Sequence, residues 1–316
     1  MFRTVPGRRT AARATTVLIV AALAATGCSG HGTAGKKHRS TSSRETERER
    51  TGDARTPAAG RPEAAPRPRT AAQFVERARQ AMRAEHGWTF ALRGTQSLVM
   101  AGGAPDSATF AATAHRTTGP DAFRSTGTVT GRSGPRSERV FLVDGTVHEK
   151  TEGKSWKQGP LSDPEMADQV EDPVAELDVL ARYAKSAKVT GAGTRTGEVR
   201  LRVRASGWRL AAAKKRPALT SPVRELQPLL DQLRKVGVTA TDGQVTLRDF
   251  EETWVLDAGH GYRLASHQYA FTFVIPYQGK DITLTQELRQ ENRGVFEGRV
   301  TLPAEAAAAA GAAGAA

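Results

Sequence analysis

His260 and His267 stand seven residues apart around a predicted turn, with Asp257 close by, and their donor types suit a metal ion. Three other groupings carry side chains capable of chemistry. They are His148-Glu149, the acidic set Asp249, Glu251 and Glu252, and the basic run Lys214-Lys215-Arg216 ahead of Pro217. Each reads better as structure. Side chains alternate along a strand, so Glu251 and Glu252 face opposite ways and make no acid pair. A solvated edge accounts for them. His260 and His267 read as strand-surface residues flanking a turn, and His148-Glu149 lacks a second histidine at helical spacing. The basic run reads as a solvated loop. The chain has no G-x-S-x-G, H-E-x-x-H or S-x-x-K motif, no phosphate loop and no dinucleotide glycine pattern. The expectation is a protein that is not an enzyme, with no catalytic residue, no cofactor and no metal.

Cys28 remains, the single cysteine of 316 residues, so no intrachain disulfide can form. Ahead of it, Arg3, Arg8, Arg9 and Arg13 make a basic head, and Thr15 to Ala25 is uncharged and mostly apolar. That run is shorter than the roughly 20 residues of a spanning helix. The pattern is that of a secretory signal. Ala25-Thr26-Gly27-Cys28 resembles the bacterial lipobox, with Ala25 where leucine is commonest. The resemblance implies removal of residues 1–27 and a diacylglyceryl group on the Cys28 thiol. Two acyl chains would then hold the chain on the extracytoplasmic face of the cell membrane.

The net charge of +13 suggests nucleic acid, but its distribution argues against that partner. Residues 71–316 hold 32 basic and 28 acidic side chains, near balance. The excess lies in residues 31–70, where it would face an anionic membrane surface. No aromatic residue occurs between Phe2 and Phe74. So apolar-poor a segment cannot offset its ordering entropy, and 28–69 reads as a disordered polar tether. Every other aromatic lies between Phe74 and Phe296, which brackets one domain, 70–303, and leaves 304–316 as an Ala/Gly-rich disordered tail.

Three helices are predicted within that domain. Thr70-x-x-Gln73 is a capping-box pattern leading to Phe74, Ala78 and Met82. Asp172-Pro173 is an N-cap and first-turn proline leading to Leu177 and Leu180. Ser221-Pro222 opens a third, with Leu226, Leu229, Leu230 and Leu233 on one face; there Pro228 implies either a kink or a start near Gln227. The remainder reads as one-sided strands: Trp88–Met100, Ser107–Arg116, Ala122–Thr130, Glu198–Arg204, Gln244–Leu256, Arg263–Ile275 and Lys280–Gln290. A hairpin over Arg139–Lys150 turns at Asp144-Gly145. Long one-sided strands imply a large antiparallel sheet whose apolar face the helices must cover. A curved sheet with helices across its concave face often leaves a ligand cavity. Strand and helix parity selects Phe90, Leu92, Leu201, Val203, Leu226, Leu230, Leu233, Trp254, Leu256, Phe271 and Phe273 as its lining.

The order of elements resembles the LprG/LppX-type lipoproteins of actinobacteria, which share the half-barrel fold of the LolA/LolB lipoprotein carriers. The likeness rests on VDGTVHEKTEGKSW (Val143 to Trp156), Asp172-Pro173 with Leu177 and Leu180, Val189 to Gly193, WVLDAGHGYRL (Trp254 to Leu264) and Val300-Thr301-Leu302-Pro303. The stretch Trp208 to Thr220 departs from the pattern and looks inserted. The resemblance implies an α+β fold, a half-barrel sheet with about three helices over its concave face. It further implies an acylated lipid or lipoglycan as ligand, carried or held at the membrane; the chain itself is expected to be a monomer. The competing expectation is a tethered binding or sensor module with a filled core that recognises a protein partner.

Overall fold

The period-two alternation of the sequence becomes a single open, curved antiparallel sheet in the computed structural model, which describes residues 67–191 and 197–314. Cys28, the signal and nearly all of the tether lie outside the described residues. The strands are β1 (Gly87–Met100), β2 (Asp106–Thr118), β3 (Asp121–Gly131), β4 (Gly134–Val143), β5 (Thr146–Thr151), β6 (Lys157–Pro160), β7 (Lys188–Thr190), β8 (Glu198–Arg209), β9 (Thr246–Asp257), β10 (Arg263–Tyr277) and β11 (Lys280–Val295). Their order across the sheet is β6-β5-β4-β3-β2-β1-β11-β10-β9-β8-β7. Two meanders are thus joined where the first strand pairs with the last. Register shifts at Thr89/Phe90 in β1, and at Leu264/Ser266 and Thr272/Phe273 in β10, insert the bulges that bend long strands.

The helices are α1 (Ala71–Ala84), α2 (Pro164–Ala167), α3 (Pro173–Tyr183), α4 (Leu210–Ala213), α5 (Thr220–Lys235) and α6 (Ala304–Gly314). α1 carries the expected capping box: the Gln73 amide donates to Thr70 Oγ1, and Gln73 Oε1 accepts from the Thr70 amide. Its Phe74, Val75, Ala78 and Met82 are buried, and Trp88 Nε1 donates to the Met82 carbonyl at 2.7 Å. Arg79 and Arg83 bind Asp178, which ties α1 to α3. Asp172 caps α3 by accepting from the Val174 and Ala175 amides, and it meets Arg116 Nε of β2 at 2.5 Å.

α5 runs unbroken from Thr220 to Lys235 with Pro228 inside it, so a start near Gln227 is not what the chain adopts. The apolar stripe Leu226, Leu229, Leu230 and Leu233 is buried along its length and outweighs one missing amide donor. The hairpin turn is as expected: Val143 pairs Thr146, with Asp144 and Gly145 both at positive φ.

The stretch Trp208 to Thr220 packs into the domain, since β8 continues to Arg209 and Leu210, Ala213 and Leu219 are buried in the core. Ala304 to Gly314 is helical rather than disordered. Alanine is the best helix former, and Glu305 pins the first turn to Arg139 at 2.8 Å. Among the described residues, no helix is long and apolar enough to cross a membrane.

Candidate functional site

The inward parity of the strands leads from the packed core into a small cavity. All eleven residues selected by parity are at most 9 % exposed and belong to one continuous core. Phe90 and Leu92 lie on β1, Leu201 and Val203 on β8, Trp254 and Leu256 on β9, and Phe271 and Phe273 on β10. Leu226, Leu230 and Leu233 face them from α5. Leu201 pairs Trp254 across the strands, and the rings of Phe271 and Phe273 meet edge to face, 5.6 Å apart. None of the eleven lines the cavity.

The cavity, about 70 Å³, lies further along the same faces. Its floor is built where β1, β2 and β11 run side by side: Gly94 pairs Phe110 on one side and Leu288 on the other. A side chain at Gly94 would start 3.2 Å from the Glu287 carbonyl and 3.4 Å from Leu288, so glycine keeps this floor open. Ser125 of β3 and the pair Glu138 and Val140 of β4 continue it. The opposite wall is polar. Asp168, Gln169 and Glu171 come from the connection between α2 and α3, and Glu225 from the inner side of α5. The sheet side thus sets Phe110, Val140 and Leu288 among Gln96, Ser125, Glu138 and Gln286, and the helix side is acidic.

The acidic wall is internally wired. Arg224 Nε meets Asp168 Oδ1 at 3.0 Å, and its guanidinium reaches Glu225 at 3.3 Å and Glu176 at 3.9 Å. Gln96 Nε2 donates to Gln286 Oε1, and Gln286 Nε2 donates to Glu225 Oε2 at 3.4 Å. Burial pushes the Glu171 carboxyl up to about 8, with the neighbouring charge of Glu225 adding to the effect. Burial likewise raises Glu138 to about 7 and Asp168 to about 6, although Arg224 pulls Asp168 back. Glu176 is raised by burial against the same guanidinium.

A second polar cluster sits inside the core. Glu252 accepts from the Tyr183 hydroxyl at 2.7 Å and faces His267 Nε2 at 3.1 Å. His267 Nδ1 lies 2.8 Å from Gln290 Oε1, and the ring stacks on Trp254 with centroids 3.6 Å apart. This overturns two expectations. Glu252 does not belong to a solvated edge, because β9 is flanked by β8 and β10; Glu251 faces outward, paired to Arg202 and Arg204, and Asp249 is exposed. His267 is no surface residue either. His260 is exposed and bonds Asp257 at 2.7 Å, so the two histidines are not brought together. Among the described residues, no three His, Cys, Asp or Glu are grouped to hold a metal ion. The basic run is exposed, as a solvated loop would be, with Lys214 meeting Asp242 at 2.5 Å and Arg216 stacking 3.5 Å over Trp208.

Sequence reading passed over the acidic wall. Its signals were the run Asp168-Gln169-Val170-Glu171-Asp172 ahead of a helix cap, and Glu225 beside an otherwise leucine-lined stripe.

No protein-family model and no curated protein matches the chain. Among solved structures it is similar to a LolA superfamily protein from Nitrosomonas europaea, with 11% identity over 73% of this chain and 96% of that one, at a TM-score of 0.26. It is also similar to a beta-barrel-like protein of a domain family of unknown function from Brucella abortus, with 8% identity, 66% and 99% coverage, and a TM-score of 0.23. A protein of another such family from Desulfovibrio piger shows 7% identity, 72% and 94% coverage, and a TM-score of 0.28.

Proposed function

We propose that the chain is a non-enzymatic lipoprotein of the cell envelope, anchored through diacylglycerol on Cys28, whose domain binds an acylated amphiphile between sheet and helices. The observation that carries the reading is the two-sided cavity. Phe110, Val140 and Leu288 offer an apolar patch to an acyl chain, and the Asp168–Glu171 segment with Glu225 offers a polar wall to the other end. The resemblance of the sequence to LprG/LppX-type lipoproteins points the same way. Ligand pockets usually measure about 300–1,000 Å³. A 70 Å³ cavity receives one end of such a molecule, and a whole acyl chain requires the cavity to widen.

Uptake of a fluorescent fatty acid tests the reading. Val140→Trp fills the apolar patch and should reduce uptake while leaving the circular dichroism spectrum intact. Uptake that is absent from the parent, or unchanged in the filled variant, contradicts it. The close packing of the eleven core residues favours a second reading, a ligand-free module that recognises a protein partner. The same experiment separates the two.

A further inference from the structure

The cavity collects acceptors faster than donors. Asp168 and Glu171 approach from the α2–α3 connection, Glu176 from α3 and Glu225 from α5, and the one guanidinium among them is Arg224. From the sheet, Glu138 lines the cavity with Glu149 acting on it electrostatically, whereas the Glu287 carboxyl is engaged elsewhere, by Gln268 at 2.9 Å. Lys154 acts on Glu138 from outside the cavity lining. Glu225 receives one long bond from Gln286 beyond its contact with Arg224. A second, independent feature points to a ligand. Gln169 is 5 % exposed and lines the cavity; its Nε2 donates to the Glu165 carbonyl, while its buried Oε1 has no donor. Leaving a buried acceptor unpaired forfeits its hydration without return.

We propose that this cavity binds a primary ammonium group, which donates to Glu171, Glu225 and the Gln169 Oε1 atom. The proposal rests on the amphiphile reading in taking this cavity as the binding site, and it names the chemistry of the polar end. An ammonium carries three donors and no acceptor, the inverse of what the wall presents. It also supplies the positive charge that the carboxylates lack. The space fits such a group, since each water-sized occupant takes roughly 10–15 Å³ of a 70 Å³ cavity. A quaternary ammonium has no N–H to donate and fits the Gln169 acceptor poorly.

Isothermal titration calorimetry of the full chain in maltoside micelles, with ethanolamine as titrant, reads the site directly. Saturable binding is expected, weakened about ten-fold or more in Glu171→Gln and in Glu225→Gln, because each removes an acidic group whose charged form a bound ammonium stabilises. Gln169→Leu removes the lone acceptor, keeps every acid and should also weaken binding, which covers the case of an unstable acid variant. Choline should bind less tightly than ethanolamine. Micelles doped with phosphatidylethanolamine or phosphatidylcholine separate the sources of the group. Competition by the former alone assigns the ammonium to a lipid headgroup. Ethanolamine binding without such competition assigns it to a soluble amine, which keeps the ammonium site and removes it from the lipid reading. Absence of ethanolamine binding, or parent-like affinity in all three variants, overturns the proposal, whereas fatty-acid uptake is read separately and tests only the amphiphile reading.

Discussion

His267 Nε2 of β10 lies 3.1 Å from Glu252 Oε1 of β9, with both side chains at most 3 % exposed. The Tyr183 hydroxyl of α3 closes on the other Glu252 oxygen at 2.7 Å, so the pair joins helix to sheet. Removing one partner of a buried polar pair leaves the rest desolvated, at a cost of about 3–5 kcal/mol if the pair is charged. Glu252→Ala should therefore shift the urea unfolding midpoint strongly downward, and Glu252→Gln should shift it less. A midpoint unchanged in Glu252→Ala would show that the network contributes nothing to stability.

Stability should fall as the solution turns alkaline. Burial raises Glu171 to about 8, Glu138 to about 7 and Asp168 to about 6, all above their ordinary carboxylate values. The folded state thus holds protons that the unfolded chain has released, and the stability they lend declines as pH rises from the ordinary carboxylate range through these values. Thermal melts across that window should show a falling Tm, and Glu171→Gln should flatten the upper part of the slope. An identical slope in the variant would mean that Glu171 is not the group responsible.

The core residues of α5 and β10 should behave as packing. Leu230→Ala should cost about 2–5 kcal/mol and Phe271→Ala about 3–5 kcal/mol, because each leaves a void in a continuous core. Denaturant titration checks both. Near-parent stability in either would reveal spare volume beneath α5 and shift the ligand site toward the parity-selected residues.

Much of this architecture can be read from the sequence, and particular residues show where reading stops. Alternation in Arg263 to Ile275 assigns the inward face of β10, and the same parity in β1 runs from Phe90 and Leu92 through Gly94 to Gln96. The face was legible; the place along it was not. Inward positions were expected to stay apolar, yet Gln96, Ser125, Glu138 and Gln286 occupy them where the cavity opens. Side-chain polarity alone cannot separate an outward glutamate from an inward one that shares a buried network. Glu251 and Glu252 illustrate it, since only pairing with β8 and β10 decides which is hidden. β7 has three residues and β6 four, too short to leave an alternating pattern.

Anchoring is tested separately from binding. The lipobox resemblance at Cys28 leads to the expectation that a Cys28→Ser chain is released into the medium, whereas the parent sediments with membranes. A variant that still sediments would remove the diacylglyceryl anchor from the proposal.

Native mass spectrometry of the protein purified from its own membranes, followed by solvent extraction of the same sample, tests the proposed binding most directly. The prediction is an acylated molecule retained in the parent and diminished in folded Val140→Trp, which fills the apolar patch of the cavity. A parent that carries no acylated molecule, or a filled variant that carries as much, would contradict it.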